Sequence, residues 1–411
     1  MPLTRRATVL GLGAVAGLGR ARLALGAPAA GAQRLVVVIL RGAMDGLSAV
    51  VPYGDAGLAA LRAPLVPPGP GRTPGPGDKG DRDEGDGGLG DLGGFYGLHP
   101  ALRQSLALYR AGELLAVHAV AGPWRVRSHF EAQDDLECGA DRRLDSGWLN
   151  RVVAHLVSPV PAPVAGEAMA VGVDIPLLLR GAARVGSWAP AGFGKVSPDL
   201  YDRAAALAVT DPVIGPALAE GLREQGFTDA ALAGRGRPAA GGTEHGFTAL
   251  AAAAGTLLAR ADGPRIAALE LDGWDTHVAQ VPRLHYMLAT LDAGLAALKA
   301  ALGPEWRRTA VLAMTEFGRT ARVNGTHGTD HGTATVAFLA GGAVAGGRVV
   351  ADWPGLRPGQ LFQNRDLAPT TDLRAVAKGV LAGHLGLDAP ILDAVFPGSA
   401  GVSAMAGLMR G

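Results

Sequence analysis

Between Thr309 and Gly342 the chain reads TAVLAMTEFGRTARVNGTHGTDHGTATVAFLAGG, two apolar runs joined by a polar segment dense in ligand-type side chains. The chain has ten histidines in 411 residues, yet His327 and His331 lie four apart here, with Glu316 and Asp330 beside them. Imidazole suits zinc, copper, iron and nickel, and carboxylates suit harder ions, so this is a metal-ligand vocabulary. Arg319 adds a planar cationic fork suited to an oxyanion. Asp, His and Gly taken singly are ordinary turn residues, and it is their clustering that points to chemistry. A second group follows in Asp272-Gly-Trp-Asp-Thr-His277. Asp275 and His277 are two apart, so on extended backbone they point the same way and can converge on one ion.

The elements that must position these groups are legible as strands. Ala310 to Met314 is a short apolar run ending in Glu316, and Ala334 to Ala340 is another, entered from Asp330 and His331. Leu35 to Leu40 (LVVVIL) has the continuous β-branched and aliphatic pattern of a central parallel strand covered on both faces, and Asp45 follows it. Asp45 reads either as a turn or cap residue or as a ligand. Leu114 to Val120 is a further buried strand, with His118 as a core histidine, leading to Arg127 and Ser128 at the start of a helical run. Ser128 is thus an N-cap or a hydroxyl activated at a helix N-terminus. Arg265 to Leu271 is a strand and Val281 to Leu302 an amphipathic helix, which makes a βαβ unit with its ligand loops at the carboxyl edge, where open α/β sheets bind ligands. Gly318, Gly325, Gly328 and Gly332 are expected to let the backbone turn between ligands.

Thr4-Arg-Arg-Ala-Thr-Val-Leu10 places twin arginines before a Gly/Ala-rich apolar run ending in small residues near 29–32, the pattern of a twin-arginine export signal over 1–32. The run is interrupted by Arg20 and Arg22 and is too short and weakly apolar to span a bilayer. Without those four arginines, 34 Lys and Arg stand against 37 Asp and Glu, a mature net charge of about −3. That balance argues against nucleic acid as a partner, since phosphate binding needs a basic patch. No apolar run after the signal suits a membrane anchor. Cys138 is the sole cysteine, which excludes an intrachain disulfide and thiolate clusters. Residues 33–411 read as one domain, with a Pro/Gly/Asp-rich disordered loop at 64–94, a cap or hairpin insertion at about 160–245, and a Gly/Pro-rich loop over Thr228 to Gly246.

LRGAMDGL, the HPAL helix at His99, RSHF, GWDTH, TEFGRT, GTDHGTA, GGRVVADWPGL and TTDLRAV together resemble an exported, uncharacterised family, domain of unknown function 1501, placed in the alkaline phosphatase and sulfatase superfamily. The resemblance implies an alkaline-phosphatase-like three-layer sandwich: a mostly parallel central sheet with helices on both faces and a small cap. It also implies a bimetallic centre and a hydroxyl or formylglycine nucleophile. By position, Asp45 resembles the first-strand ligand, Ser128 the nucleophile, Asp275 and His277 a ligand pair with altered spacing, and His331 a later lone ligand. Glu316 and Phe317 stand where many members have Asp-His, and Phe317 cannot ligate, so one metal is lost or is held by Asp330 or His327. The expected function is an exported, periplasmic or extracellular, metal-dependent hydrolase of small phosphate or sulfate esters. It would use one or two divalent ions, zinc first with calcium or manganese as alternatives. Ser128 would be the nucleophile, with Arg127 or Arg319 clamping the oxyanion. The alternative is a non-catalytic exported binding or assembly protein on the same fold.

Overall fold

In the strand Arg34–Arg41 (β1), Val36, Val38 and Leu40 enter one buried cluster and Leu35, Val37 and Ile39 another. A period of two with both phases buried means that the strand has a layer on each face. The computed structural model describes residues 33–71, 87–156, 166–189, 221, 223, 227–232 and 243–411. Residues 1–32, expected to be an export signal, and most of the acidic loop and of the expected insertion lie outside them.

Strands follow at Val50–Val51 (β2), Gly90–Asp91 (β3), Gly97–Leu98 (β4), Leu114–Ala121 (β5), Ala168–Val171 (β6), Gly186–Trp188 (β7), Ile266–Asp272 (β8), Thr309–Met314 (β9), Thr335–Ala340 (β10), Arg348–Val350 (β11) and Thr371–Asp372 (β12). The main sheet runs β11-β5-β10-β9-β1-β8-β6-β7, with β12 also on β5. Every pairing in it is parallel except those of β10, which is antiparallel to β5 and β9. The helices Thr243–Ala259 and Gln280–Leu302 pack Leu257, Leu284, Leu288, Leu291 and Leu295 on one face. The helices Trp148–His155, Leu373–Leu385 and Ala389–Val395 cover the other with Leu149, Val376, Val380 and Val395. The result is an α/β three-layer sandwich around a mostly parallel sheet.

Two expectations change. Within the expected cap or hairpin insertion at about 160–245, β6 and β7 form no hairpin: they pair in parallel and extend the main sheet beyond β8. Gly90–Asp91, inside the stretch read as a disordered loop, pairs with β4 in a small antiparallel sheet with β2. Of the Gly/Pro-rich loop over 228–246, residues 228–232 and 243–246 are helical and the rest lie outside the described residues.

Register fixes where the loops open. Arg41 pairs with Asp272 and Ile39 with Met314, so β1, β8 and β9 end at one edge; β5 ends there too, because Val120 lies beside Thr335, the first residue of the antiparallel β10. The segments 42–45, 122–129, 273–279 and 315–334 therefore share one rim of the sheet.

Candidate metal centre

On that rim the ring nitrogens of three histidines gather around one carboxylate oxygen. Asp275 Oδ1 lies 3.5 Å from His129 Nε2, 3.0 Å from His277 Nε2 and 3.4 Å from His331 Nε2. His277 Nε2 is 3.0 Å from His331 Nε2. Ligand atoms about 2.0–2.1 Å from a tetrahedral ion stand about 3.3 Å from one another, so these separations suit a single cation. The ligand atoms of His129, Asp275 and His331 all lie within 4.8 Å of one another, and His277 stands outside that group, meeting it at Asp275 and His331. Metal binding needs an imidazole nitrogen that faces the ion with its lone pair free, and here the other nitrogen of each ring arranges that. His129 Nδ1 bonds Glu316 Oε1 at 2.7 Å, His331 Nδ1 the Arg127 carbonyl at 2.7 Å and His277 Nδ1 Asp330 Oδ1 at 3.2 Å. Each acceptor holds the proton on Nδ1 and leaves Nε2 aimed inward, the outer-layer arrangement that orients metal-binding histidines. His129 Nε2 is buried without a hydrogen-bond partner, which is what a donor waiting for a cation looks like.

The local sequence explains the placement. His129 is the first residue of the helix His129–Cys138, where the chain turns back after β5. Asp275 and His277 follow β8, and His331 bridges to Arg319 just before β10. Of the glycines, Gly328 and Gly332 matter for close approach, not for turning: neither has positive φ. A Cβ on Gly328 would meet the His277 carbonyl at 2.3 Å, and one on Gly332 the Arg319 carbonyl at 2.4 Å.

The electrostatics follow from these contacts. Burial pushes the Glu316 carboxyl up, but bonds from His129, Gln133 and Thr315 outweigh it and hold the group below its ordinary value. The same Glu316 bond raises His129, against the opposing effect of burial. Burial lowers His331, and the neighbouring His129 adds to that. For Asp275, burial is overcome by the Arg319 guanidinium, whose Nη1 lies 2.5 Å from Oδ1, and the carboxyl is lowered.

Not every expected residue joins this group. Asp275, His277 and His331 converge. Glu316 and Asp330 stand behind histidines as anchors, and His327 is exposed in the left-handed region at φ 56°. Asp45, expected as a ligand, is on the same rim but its carboxylate is committed elsewhere: Arg62 Nη1 at 3.0 Å, the Ser48 hydroxyl at 2.9 Å and Gln280 Nε2 at 2.5 Å. Asp45 and Arg62 are each 1 % exposed, a buried ion pair with its remaining valences satisfied. Arg319, expected to clamp an oxyanion, spends its fork on Asp275 and on the Thr329 hydroxyl and carbonyl. Arg127 is bound to Asp366 and Gln363. Ser128 precedes His129 and is half-buried, and its hydroxyl makes no capping bond to the helix. His129 itself was missed by sequence reasoning. The available signal was a histidine at a helix start directly after a buried strand, on the rim that the other ligands share.

A family model described as "Protein of unknown function (DUF1501)" matches residues 118–396. The chain belongs to that family. The DUF1501 match takes in His129, Asp275, His277, Glu316 and His331 and begins after Asp45 and Arg62. Among solved structures, the phosphonate monoester hydrolase of Agrobacterium radiobacter is similar at 11% identity and a TM-score of 0.37, over 87% of this chain and 74% of that one. No curated protein matches.

Proposed function

We propose that the chain is an exported metal-dependent hydrolase of small anionic esters, phosphate or sulfate, with zinc held by His129, Asp275, His277 and His331. The observation that carries this reading is the convergence of three Nε2 atoms whose Nδ1 atoms are each tied to an oxygen, with His129 Nε2 buried and making no hydrogen bond. Three imidazoles and one carboxylate suit zinc, and calcium or manganese would call for more oxygen ligands. A bound zinc supplies Lewis acidity at the ester oxygen. On this reading Ser128, next to His129 and making no capping bond, supplies the hydroxyl nucleophile. Asp275 carries the charge that balances the ion, and Arg319 holds it in position. Export through the twin-arginine route is part of the same reading, resting on the residues Arg5 and Arg6. Among the described residues no helix is long and apolar enough to cross a membrane.

One observation favours the alternative, a non-catalytic binding or assembly protein: both arginines expected to clamp an oxyanion, Arg127 and Arg319, are already paired with carboxylates. The two readings separate by assay. Zinc-loaded and chelator-stripped protein is tested on aryl phosphates, phosphate diesters and aryl sulfates. Turnover that needs zinc and disappears in a folded His129→Ala variant supports the hydrolase. One tightly bound zinc per chain with no turnover across the panel supports the binding protein.

A further inference from the structure

Six large apolar side chains are exposed among the described residues, and four of them lie within four residues of a proposed ligand: Val126 (37 %), Phe130 (88 %), Val278 (48 %) and Val281 (51 %). Scattered singly, exposed apolar groups need no explanation, but a set gathered around one site marks a binding surface. Two segments carry them. The Arg127 carbonyl lies 2.7 Å from His331 Nδ1, so 126–130 runs along one side of the group. On the other side, His277 Nε2, 3.0 Å from His331 Nε2, brings up the start of the helix Gln280–Leu302. Between them the site is open: the Asp275 and His277 side chains are 43 % and 40 % exposed. A small cleft beside it is walled by Trp124, Val126, Phe317 and Thr333, with Arg125 and Glu316, whose carboxylate is tied to His129, also in its lining. Arg125 donates to the Gly122 and Trp124 carbonyls and, among the described residues, forms no direct ion pair, with the Asp372 carboxylate acting on it only from a distance.

We infer that the ligand of this site is amphipathic, with an anionic head at the His–Asp group beside Arg125 and an alkyl or aryl group lying over Val126, Phe130, Val278 and Val281. The inference rests on the anionic-ester reading above and adds the chemistry of the alcohol part. Complete burial of a methylene is worth about a fourfold gain in affinity. A collar that covers one side of a chain gives about twofold, hence about sixteenfold over four methylenes.

The probes are methyl-, butyl- and octylphosphonate, which have no ester bond to lose, titrated calorimetrically into zinc-loaded protein. Octylphosphonate should bind at least tenfold tighter than butylphosphonate. The double variant Phe130→Ser, Val281→Ser should lose that increment and keep both its zinc content and its affinity for methylphosphonate. Equal affinities along the series, or a chain-length effect that survives in the double variant, would overturn the amphipathic assignment and leave the anionic one standing. No binding of methylphosphonate would remove the anionic reading and this inference with it. Sedimentation and vesicle flotation complete the test: self-association or vesicle binding abolished by the same double variant would assign the collar to a second copy or a lipid surface, against the small-molecule assignment.

Discussion

His129 is where the site is most sensitive to single atoms, because one of its nitrogens is anchored to Glu316 and the other faces the proposed ion. Removing the ring deletes a ligand, whereas Glu316→Gln keeps the shape and changes only what the anchor can accept. Loss of an outer-layer carboxylate typically weakens metal binding by about 10–100-fold. Calorimetric zinc titration should therefore rank wild type above Glu316→Gln and Glu316→Gln above His129→Ala. Equal affinity in wild type and Glu316→Gln would show that the anchor does not act on the ion. Ser128 gives a second residue-level test. A serine that caps a helix costs about 1 kcal/mol when replaced by alanine. Here the hydroxyl makes no capping bond, so Ser128→Ala should change the unfolding free energy by less than about 0.5 kcal/mol while lowering zinc-dependent ester turnover by orders of magnitude. A stability loss of the full capping size with turnover intact would return Ser128 to a structural role. At this scale the sequence showed which residue types gather, but not which stand in front: Glu316 and Asp330 look like ligands until the Nδ1 bonds place them behind His129 and His277. Asp45 misled for a similar reason, since its partner Arg62 is 17 residues away and nothing in the spacing signals the pair.

At the scale of elements, what was readable was whatever periodicity governs. Continuous apolar runs located β1, β5, β8, β9 and β10 because each is buried on both faces and short. The runs at β6 and β7 were equally visible, but pairing partners are set by the tertiary fold and not by local pattern, so a parallel extension looked like a hairpin. The join between the Asp275–His277 loop and its helix carries a strain that is testable. Ala279 precedes the helix Gln280–Leu302 at φ 48°, ψ 55°, a left-handed conformation that costs a residue with a Cβ about 1–2 kcal/mol. Ala279 is exposed, so a glycine there loses little packing. Ala279→Gly should stabilise the protein by about 0.5–1 kcal/mol once the greater freedom of glycine in the unfolded chain is subtracted, read as a raised midpoint in urea. A lowered midpoint would mean that the left-handed turn is not held in the folded protein.

For the whole molecule, the length left room for one large core, and the order of strand and helix patterns made it α/β and brought the chemistry to one rim. Which side chains turn towards a common point depended on packing from four loops at once, beyond any local signal. The same global packing buries histidines that take no part in the site, and these set how stability responds to acid. His118 stands on β5 with no exposed surface, donating from Nε2 to the Val50 carbonyl and accepting at Nδ1 from the Ala119 N–H, with Tyr96 and Trp353 against its ring. Burial pushes it down to about 4, despite the opposing bond to Val50. Burial, aided by His285, pushes His99 down to about 3. An unfolded chain takes up these protons near pH 6.5. As pH falls below that value, the unfolded state binds protons that the folded state refuses, so the share of stability that these two histidines carry is complete above about pH 6.5 and declines towards pH 4. Asp45 and Asp275, both held below their ordinary values, add their losses only at lower pH. Urea denaturation in the presence of chelator should therefore show stability decreasing from pH 6.5 to 4.5, with a slope to which His99, His118, His331 and His384, all lowered by burial, contribute. His118→Gln preserves a donor for Val50 and an acceptor for Ala119 and removes one of these titrating groups. Its slope should be shallower by about one proton, and a slope equal to that of wild type would show that His118 is not the neutral, buried group its surroundings require.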